Sequence, residues 1–255
     1  MKRTLAFILC LLLCLSVCLA GCSEGNQESG DNGIIKVAGK TPEELYAEAL
    51  AELKTATSVE AITTQKIVMK AEGQTETMNQ TAISRQNGYD VYFKTENDMT
   101  PQAEMEVTYV GGVYYLKQNG QKYKMSISHD EMDELISQMY GGSSAAEQTL
   151  LSIPEEWFKD VAFEKDGSSY TMTIKVAAEK YTELIGNMGI SGATFTSDVE
   201  YKVYFDANGN LQKTTATFTF DVYGVQCDCV STSVITIANI TISAPADADS
   251  YQSIG

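Results

Sequence analysis

Long runs of alternating apolar and polar residues, separated by short glycine-containing breaks, fill most of residues 59–242. Successive side chains of a strand point to opposite faces, so an alternation of period two predicts strands with one apolar face. In residues 102–110, for example, Met105 and Tyr109 share one face and Glu104 lies on the other. The breaks are typical of hairpin turns and favour an up-and-down antiparallel sheet. Examples lie at 86–88, 111–112 and 118–120.

The alternation predicts about eleven strands in a single domain, because no change of composition divides the chain. A sheet of this length needs one apolar face covered, and its twist curls it towards a half-barrel. We therefore expect an α+β fold with one curved antiparallel sheet and helices on its concave face. The strands are predicted at 59–72, 75–85, 89–95, 102–110, 113–117, 121–127, 161–165, 168–177, 194–206, 210–222 and 226–242.

Helical periodicity interrupts the strands in a few places. Thr41 with Glu44, and Ser128 with Glu131, match the capping box, in which a hydroxyl and a glutamate satisfy each other's backbone N–H groups. Helices are predicted at 41–57, 128–139, 145–151 and 179–188. The helix at 128–139 is expected to cover one side of the sheet.

The N-terminus has the features of an export signal. A basic start at Lys2 and Arg3 precedes an apolar run over residues 5–20, shorter than a permanent membrane span. The run ends in Leu-Ala-Gly-Cys at 19–22, which resembles the bacterial lipobox. The resemblance implies cleavage after Gly21 and a diacylglyceryl lipid on Cys22, and the alternative is secretion with an unmodified Cys22. We expect a signal peptide at 1–21 and a protein anchored in the cell membrane, on its extracytoplasmic side.

Charge and histidine content exclude several classes of function. The formal net charge of −16 becomes −18 when residues 1–21 leave, because they carry two basic residues and no acid. Nucleic-acid binding needs clustered lysine and arginine, so it is not expected. His129 is the single histidine, and no nucleophile or metal motif accompanies it. We therefore expect no catalytic residue, no metal and no cofactor, and a protein that is not an enzyme.

Three cysteines remain after cleavage. Cys22 is the lipidation site, and Cys227 and Cys229 lie two residues apart in a predicted strand, on the same face. Two small apolar side chains on a sheet face are one interpretation of this pair, and a labile redox pair is another. Val230 and Val234 share the opposite face of the same strand.

Residues 22–40 are rich in Gly, Ser, Asn, Asp and Glu, which predicts a flexible polar tether before the domain at 41–255. Within that domain, residues 206–210 (DANGN) superficially resemble a calcium loop. The glycine at position 4 and a threonine at position 12 do not fit an EF-hand. A hairpin turn around Gly209 is the favoured interpretation.

The order of strands and turns resembles the LolA/LppX-like lipoprotein-carrier superfamily, and more closely a branch of lipoproteins from Gram-positive bacteria. The segments that carry the resemblance are 41–53, 65–71, 109–115 (YVGGVYY), 120–124 (GQKYK), 204–210 (YFDANGN) and 242–245 (ISAP). The resemblance implies an eleven-stranded half-barrel with a helical lid. It also implies binding of an acyl chain or another apolar ligand.

Methionine is an adaptable, polarisable side chain that suits a variable apolar ligand, and it also serves as a gap-filler in ordinary cores. Both interpretations remain open here. The candidate ligand-binding residues on apolar faces are Met69, Phe93, Met105, Met125, Met132, Leu135, Ile136, Met139, Met172 and Tyr201.

Two hypotheses of function follow. The first is a non-enzymatic lipoprotein that binds or carries a lipid, a lipoprotein tail or another apolar ligand in a half-barrel cavity. The second is an envelope scaffold or sensor domain with a filled core that binds another protein. In both hypotheses, the protein is attached to the cell membrane through Cys22, and nucleic acid is not expected as a partner.

Overall fold

The computed structural model describes residues 36–100, 104–132, 134, 157–187 and 192–254. The predicted signal peptide, Gly21, Cys22, most of the tether and the predicted helix at 145–151 lie outside these residues. The described part of the tether includes Val37, which is buried in the core and pairs with Lys40. Packing against the domain therefore starts before the predicted boundary at residue 41.

Thirteen strands and two helices of eight or more residues make up the described structure. The helices are α1 (Pro42–Thr55) and α2 (Ala178–Asn187). The first six strands are β1 (Ser58–Ala71), β2 (Gln74–Asn87), β3 (Asp90–Asn97), β4 (Met105–Val110), β5 (Val113–Gln118) and β6 (Gln121–Ser126). The others are β7 (Phe158–Asp166), β8 (Ser169–Val176), β9 (Ala193–Phe195), β10 (Val199–Phe205), β11 (Leu211–Val222), β12 (Val225–Ile237) and β13 (Gln252–Ser253).

All the strands belong to one sheet, in the order β13-β6-β5-β4-β3-β2-β1-β12-β11-β10-β8-β7, with β9 paired to β11. Every pairing is antiparallel except that of β13 with β6. The predicted class, a single curved antiparallel sheet with helices, is confirmed. The long strands β1 and β12 pair with each other in the middle of the sheet, and the hairpins β1–β2 and β11–β12 extend it outwards on the two sides.

The strand count exceeds the predicted eleven because one predicted strand is split and one short strand was not predicted. The predicted strand at 194–206 becomes β9 and β10, separated at Asp198. The Asp198 carboxylate accepts hydrogen bonds from the Ala178 backbone N–H at the start of α2 and from Lys159 Nζ, which draws it away from the ladder. The second addition, β13, lies in the predicted polar tail.

Local signals define α1. Thr41 Oγ1 accepts from the Glu44 backbone N–H, and the Glu44 carboxylate accepts from the Thr41 N–H at 2.7 Å, so the predicted capping box is confirmed. The apolar stripe of the helix, Leu45, Ala49 and Leu53, is buried against the sheet. This stripe follows the four-residue spacing of one helix face.

The two faces of the sheet differ in burial. The core face carries Ile67 of β1 and the two cysteines of β12, all fully buried. The opposite, outer face carries Val230 and Val234, which are 44% and 47% exposed. The small thiols fit the core because Cys227 and Cys229 pair across β11 with Phe220 and Phe218, whose rings fill the space. The two cysteines thus lie on one sheet face among apolar neighbours, as their interpretation as small apolar residues predicts.

Candidate functional site

The core face carries two separate apolar clusters. The larger cluster joins α1 and α2 to strands β1, β2 and β8–β12, and its side chains are buried. Aromatic rings occupy its centre, with Phe195 5.4 Å from Phe218 between ring centroids. Representative members are Leu45, Leu53, Ile67, Tyr181, Phe218 and Phe220. This part of the half-barrel is a filled core.

The smaller cluster lies on β3–β6, at the side of the sheet away from α1 and α2. Its buried members are Val91, Val107, Tyr109, Tyr114 and Met132. Around them lie apolar side chains that are only half-buried: Phe93, Met105, Leu116, Met125 and Ile127. The smaller cluster is therefore an apolar surface that the described residues cover incompletely.

A polar band crosses the core face between apolar neighbours. Asn97, Gln80, Gln65 and Ser231 are direct partners across β3, β2, β1 and β12, and all four are buried. The Gln65 amide donates to Ser231 Oγ at 3.4 Å. One step along the strands, Thr63 Oγ1 and Ser233 Oγ share a hydrogen bond of 2.8 Å. Buried amides and hydroxyls thus form a line across four strands of the core face.

The candidate ligand-binding residues divide between the two clusters. Met69, Met172 and Tyr201 are buried in the larger cluster. Phe93, Met105, Met125 and Met132 meet in the smaller one. Leu135, Ile136 and Met139 lie outside the described residues. The structure thus brings four of the seven described candidates together on β3–β6 and places the other three in the filled core.

Tyr201 illustrates the difference. Its side chain is almost fully buried, and its hydroxyl accepts a hydrogen bond from Tyr181 of α2. Tyr181, which sequence reasoning did not single out, packs on Phe195 with ring centroids 5.3 Å apart. This tyrosine pair connects α2 to β10, so Tyr201 contributes to packing of the core.

A capping box positions Met132 over the smaller cluster. A helix begins at residue 129, and Ser128 Oγ accepts from the Glu131 backbone N–H at 3.2 Å while Glu131 accepts from the Ser128 N–H at 2.7 Å. The Ser128 backbone N–H and then the Ser128 hydroxyl donate to the Glu131 carboxylate, and these two hydrogen bonds lower the pKa of that carboxyl. The predicted capping box at 128–131 is therefore confirmed.

His129 connects the first turn of this helix to the sheet. Its ring stacks on Tyr89, with centroids 4.3 Å apart, and its Nδ1 lies 2.8 Å from the Tyr109 hydroxyl. Tyr109 is fully buried in the smaller cluster, so the one histidine of the chain links the helix to that cluster. Tyr89 was missed because the sequence predicts it only as the first residue of the strand at 89–95, whereas the structure places it in the turn before β3.

The buried side chains of the core face are uncharged. Among the described residues, the buried polar side chains are amides and hydroxyls only. Burial raises the pKa of the Tyr114 phenol in the smaller cluster, so this hydroxyl stays protonated. In the same part of the chain, no three His, Cys, Asp or Glu side chains gather as a metal site would require.

A pocket of about 340 Å³ opens on the outer face of β3–β5, where Lys94, Glu106 and Lys117 are direct partners across the strands. Met105 contributes to its wall, together with charged side chains of β3–β5 such as Lys94, Glu106 and Lys117. The described helices include none that is long and apolar enough to cross a bilayer.

Several solved structures are similar to this chain at low sequence identity. Lipoprotein LppX from Mycobacterium tuberculosis is 11% identical with a TM-score of 0.40, over 80% of this chain and all of that one. LprF from Mycobacterium bovis is 11% identical with a TM-score of 0.37, over 81% and 98% of the two chains. A LolA superfamily protein from Nitrosomonas europaea is 10% identical with a TM-score of 0.24, over 84% and 96%. Members of the superfamily that the sequence resembles are thus among the matches.

No curated protein matches the chain. A family model does match, over residues 41–221, which include α1, α2, the strands β1–β10 and all but the last residue of β11. The matched region therefore contains the smaller cluster and most of the larger one, from which Val37, Val222 and the residues of β12 are left out. On this match, the chain belongs to the family of unknown function DUF6612.

Proposed function

We propose that the chain is a non-enzymatic lipoprotein of the cell envelope that binds an acyl chain or another apolar ligand at the smaller cluster. The observation that carries the proposal is the incomplete cover of that cluster. Phe93, Met105 and Met125 stay half-buried on the core face of a sheet whose other half is filled. Apolar side chains gathered in this way are typical of a binding surface.

The chemistry of the lining supports an apolar ligand. Methionine has a flexible, polarisable side chain, so Met105, Met125 and Met132 can adapt to ligands of different shape. Charged groups are absent from the buried side chains of the described residues, which favours hydrocarbon over an ionic ligand.

The proposal includes a lipid anchor on Cys22 at the extracytoplasmic side of the membrane. The Leu-Ala-Gly-Cys motif at 19–22 and the polar segment after it support this anchor. Acyl chains hold a protein at a bilayer without help from basic residues, so a mature charge of −18 is no obstacle.

The binding proposal is tested on residues 22–255 with Cys22→Ala, which contain every strand and helix named above. We expect organic extracts of the purified protein to contain lipid and an apolar fluorescent dye to bind it. Met125→Gln keeps the length of the side chain but removes apolar surface from the smaller cluster. It should weaken dye binding about tenfold, since burying one such side chain is worth about 1.5–3 kcal/mol.

Met99→Gln is the matched control, because Met99 is exposed and belongs to neither cluster. It should leave dye affinity unchanged. A folded protein that carries no lipid and does not respond to the dye would contradict the binding function.

A scaffold or sensor domain is the second candidate, and the filled larger cluster favours it. On the outer face, Ile62 and Val234 are direct partners on β1 and β12, and both are exposed. An apolar outer face over a packed core suits contact with another protein. The dye and lipid experiment separates the two candidates, since only the first requires a ligand on the core face.

A further inference from the structure

Gln80 lies at the middle of the polar band with its amide fully buried. The residue is 2% exposed, and neither its Nε2 donor nor its Oε1 acceptor has a hydrogen-bond partner. It belongs to the core face because it alternates along β2 with Met78, a buried member of the larger cluster. The amide therefore faces the side of the sheet on which a ligand would lie.

The neighbours of Gln80 in the band already use polar atoms elsewhere. Asn97, its partner on β3, accepts from the Thr100 backbone N–H at 2.6 Å through Oδ1. Gln65, its partner on β1, donates to Ser231. Nearly all buried polar groups of folded proteins have a partner, and one that lacks it destabilises the fold. Both amide atoms of Gln80 are buried without a hydrogen-bond partner. A bound molecule that donates to one atom and accepts from the other would explain why they are there.

We propose that the ligand is an acyl lipid with an uncharged group that both donates and accepts hydrogen bonds, an amide or an alcohol, and that Gln80 binds this group. The inference rests on the proposed function and specifies its ligand class. An ester accepts but does not donate, and a hydrocarbon does neither, so each leaves part of the Gln80 amide unsatisfied. An ionised group is disfavoured because the band holds no buried charge to compensate it.

The position of the band also orients the ligand. Phe93, at the edge of the smaller cluster, lies four residues along β3 from Asn97, about 13 Å at the rise of a strand. A chain whose polar group rests on Gln80 can therefore lie along β3 and reach Phe93 and Met105. The polar group then fixes the depth of the lipid, and the smaller cluster binds its apolar part.

The test compares three probes of similar chain length: hexadecanamide, methyl palmitate and hexadecane. Each displaces an apolar dye from residues 22–255 with Cys22→Ala. The unsubstituted site should prefer hexadecanamide over methyl palmitate by about tenfold, as expected for hydrogen bonds to a buried amide. Gln80→Met keeps the shape of the side chain and removes its polar atoms. It should abolish the preference and leave hexadecane affinity unchanged or higher.

Gln226→Met is the matched control, since Gln226 is exposed on the outer face of β12, and it should keep the preference. In the ligand-free protein, Gln80→Met should raise the thermal midpoint by about 2–4 °C, while Gln226→Met should not.

Equal affinity of the unsubstituted site for all three probes would overturn the ligand class while leaving the proposed function intact. The same holds if Gln80→Met keeps the preference. If no probe displaces the dye, both the ligand class and the proposed function are wrong. The comparison of the three probes on the unsubstituted site needs no variant. It therefore tests the ligand class even if Gln80→Met does not fold.

Discussion

At the scale of single residues, Gly209 lies in a hairpin turn that packs closely against the helix α1. Asp206 Oδ1 accepts from the backbone N–H groups of Asn208 and Asn210 at 2.8 and 2.9 Å, which closes the turn between β10 and β11. Gly209 has a φ of +85°, and a Cβ there would lie 2.7 Å from Leu45 Cδ2 of α1. Both the backbone conformation and the close approach require glycine.

Gly209→Ala should therefore destabilise the chain by about 2–3 kcal/mol, from the left-handed conformation and the contact with Leu45 together. Urea unfolding of the purified protein measures the loss. Gly167→Ala is the control, since Gly167 has a φ of +60° but nothing within 4 Å of its would-be Cβ. It should cost about 1 kcal/mol. Equal losses for the two variants would show that the contact with Leu45 contributes nothing.

Gly209 and Gln80 differ in how far the sequence predicts their structural setting. The turn at 206–210 is predicted by its Asp, Asn and Gly, because these residues act locally. The burial of Gln80 is not, since a polar residue in an alternating strand normally marks the exposed face. Gln80 lies on the core face because the register of β2 also places Met78 there, and register is a property of the whole sheet.

At the scale of elements, the C-terminal segment forms a strap over β5 and β6. Residues Ala248–Ser250 form a 3-10 turn, Asp247 pairs with Lys122, and β13 joins the edge of β6. Tyr251 is buried under this strap and meets Tyr115 edge to face, with ring centroids 5.4 Å apart. The strap thus covers part of the outer face and one edge of the sheet.

Burial, followed by the negative charge of Asp247, raises the pKa of Tyr251 to about 12. Because the pKa in the folded state exceeds the unfolded value of 10.0, the protonated phenol favours folding. This stability is fully present below pH 10 and is lost as the pH rises through 12. We expect an absorbance titration of tyrosine to show a component near pH 12 that disappears in Tyr251→Phe.

Tyr223→Phe, at an exposed position in the turn between β11 and β12, is the matched control and should keep that component. Persistence of the component in Tyr251→Phe would assign it to another tyrosine and would contradict the buried state of Tyr251.

Elements with local signals agree closely with prediction. The helix predicted at 41–57 is observed at Pro42–Thr55, since Thr41, Pro42 and Glu44 define its start within a few residues. The helix predicted at 179–188 is observed at Ala178–Asn187. In contrast, β13 could not be predicted, because two exposed residues in a polar tail become a strand only by pairing with β6.

At the scale of the whole molecule, the sequence determines the class of sheet but not the grouping of its side chains. Period-two alternation with glycine turns predicts one antiparallel sheet. It does not predict that Met69 and Met172 fill one cluster while Met105 and Met125 belong to another. That division depends on which strands α1 and α2 cover, and these contacts join residues far apart in the chain.

The anchor proposal concerns the whole molecule. Cys22→Ala should move the protein from the membrane fraction to the soluble fraction, because the thioether to the lipid can no longer form. Membrane fractionation followed by immunoblotting measures the change. Cys18→Ala changes a cysteine inside the signal peptide and leaves the motif at 19–22 intact, so it should remain in the membrane fraction. If Cys22→Ala also stays there, the lipid anchor is wrong.

The covered edge of β6 limits how copies of this chain can polymerise. A sheet grows into a fibre only if both of its outermost strands accept a neighbour. In the described structure β13 occupies the edge of β6, and β7 is the outermost strand at the other end. Two copies joined through β7 would bury both accepting edges and stop. Residues 246–254, which fold back over β6, leave only the two-residue β13 as the outermost strand at this end. So short an edge disfavours open-ended growth and leaves closed pairing through β7 available.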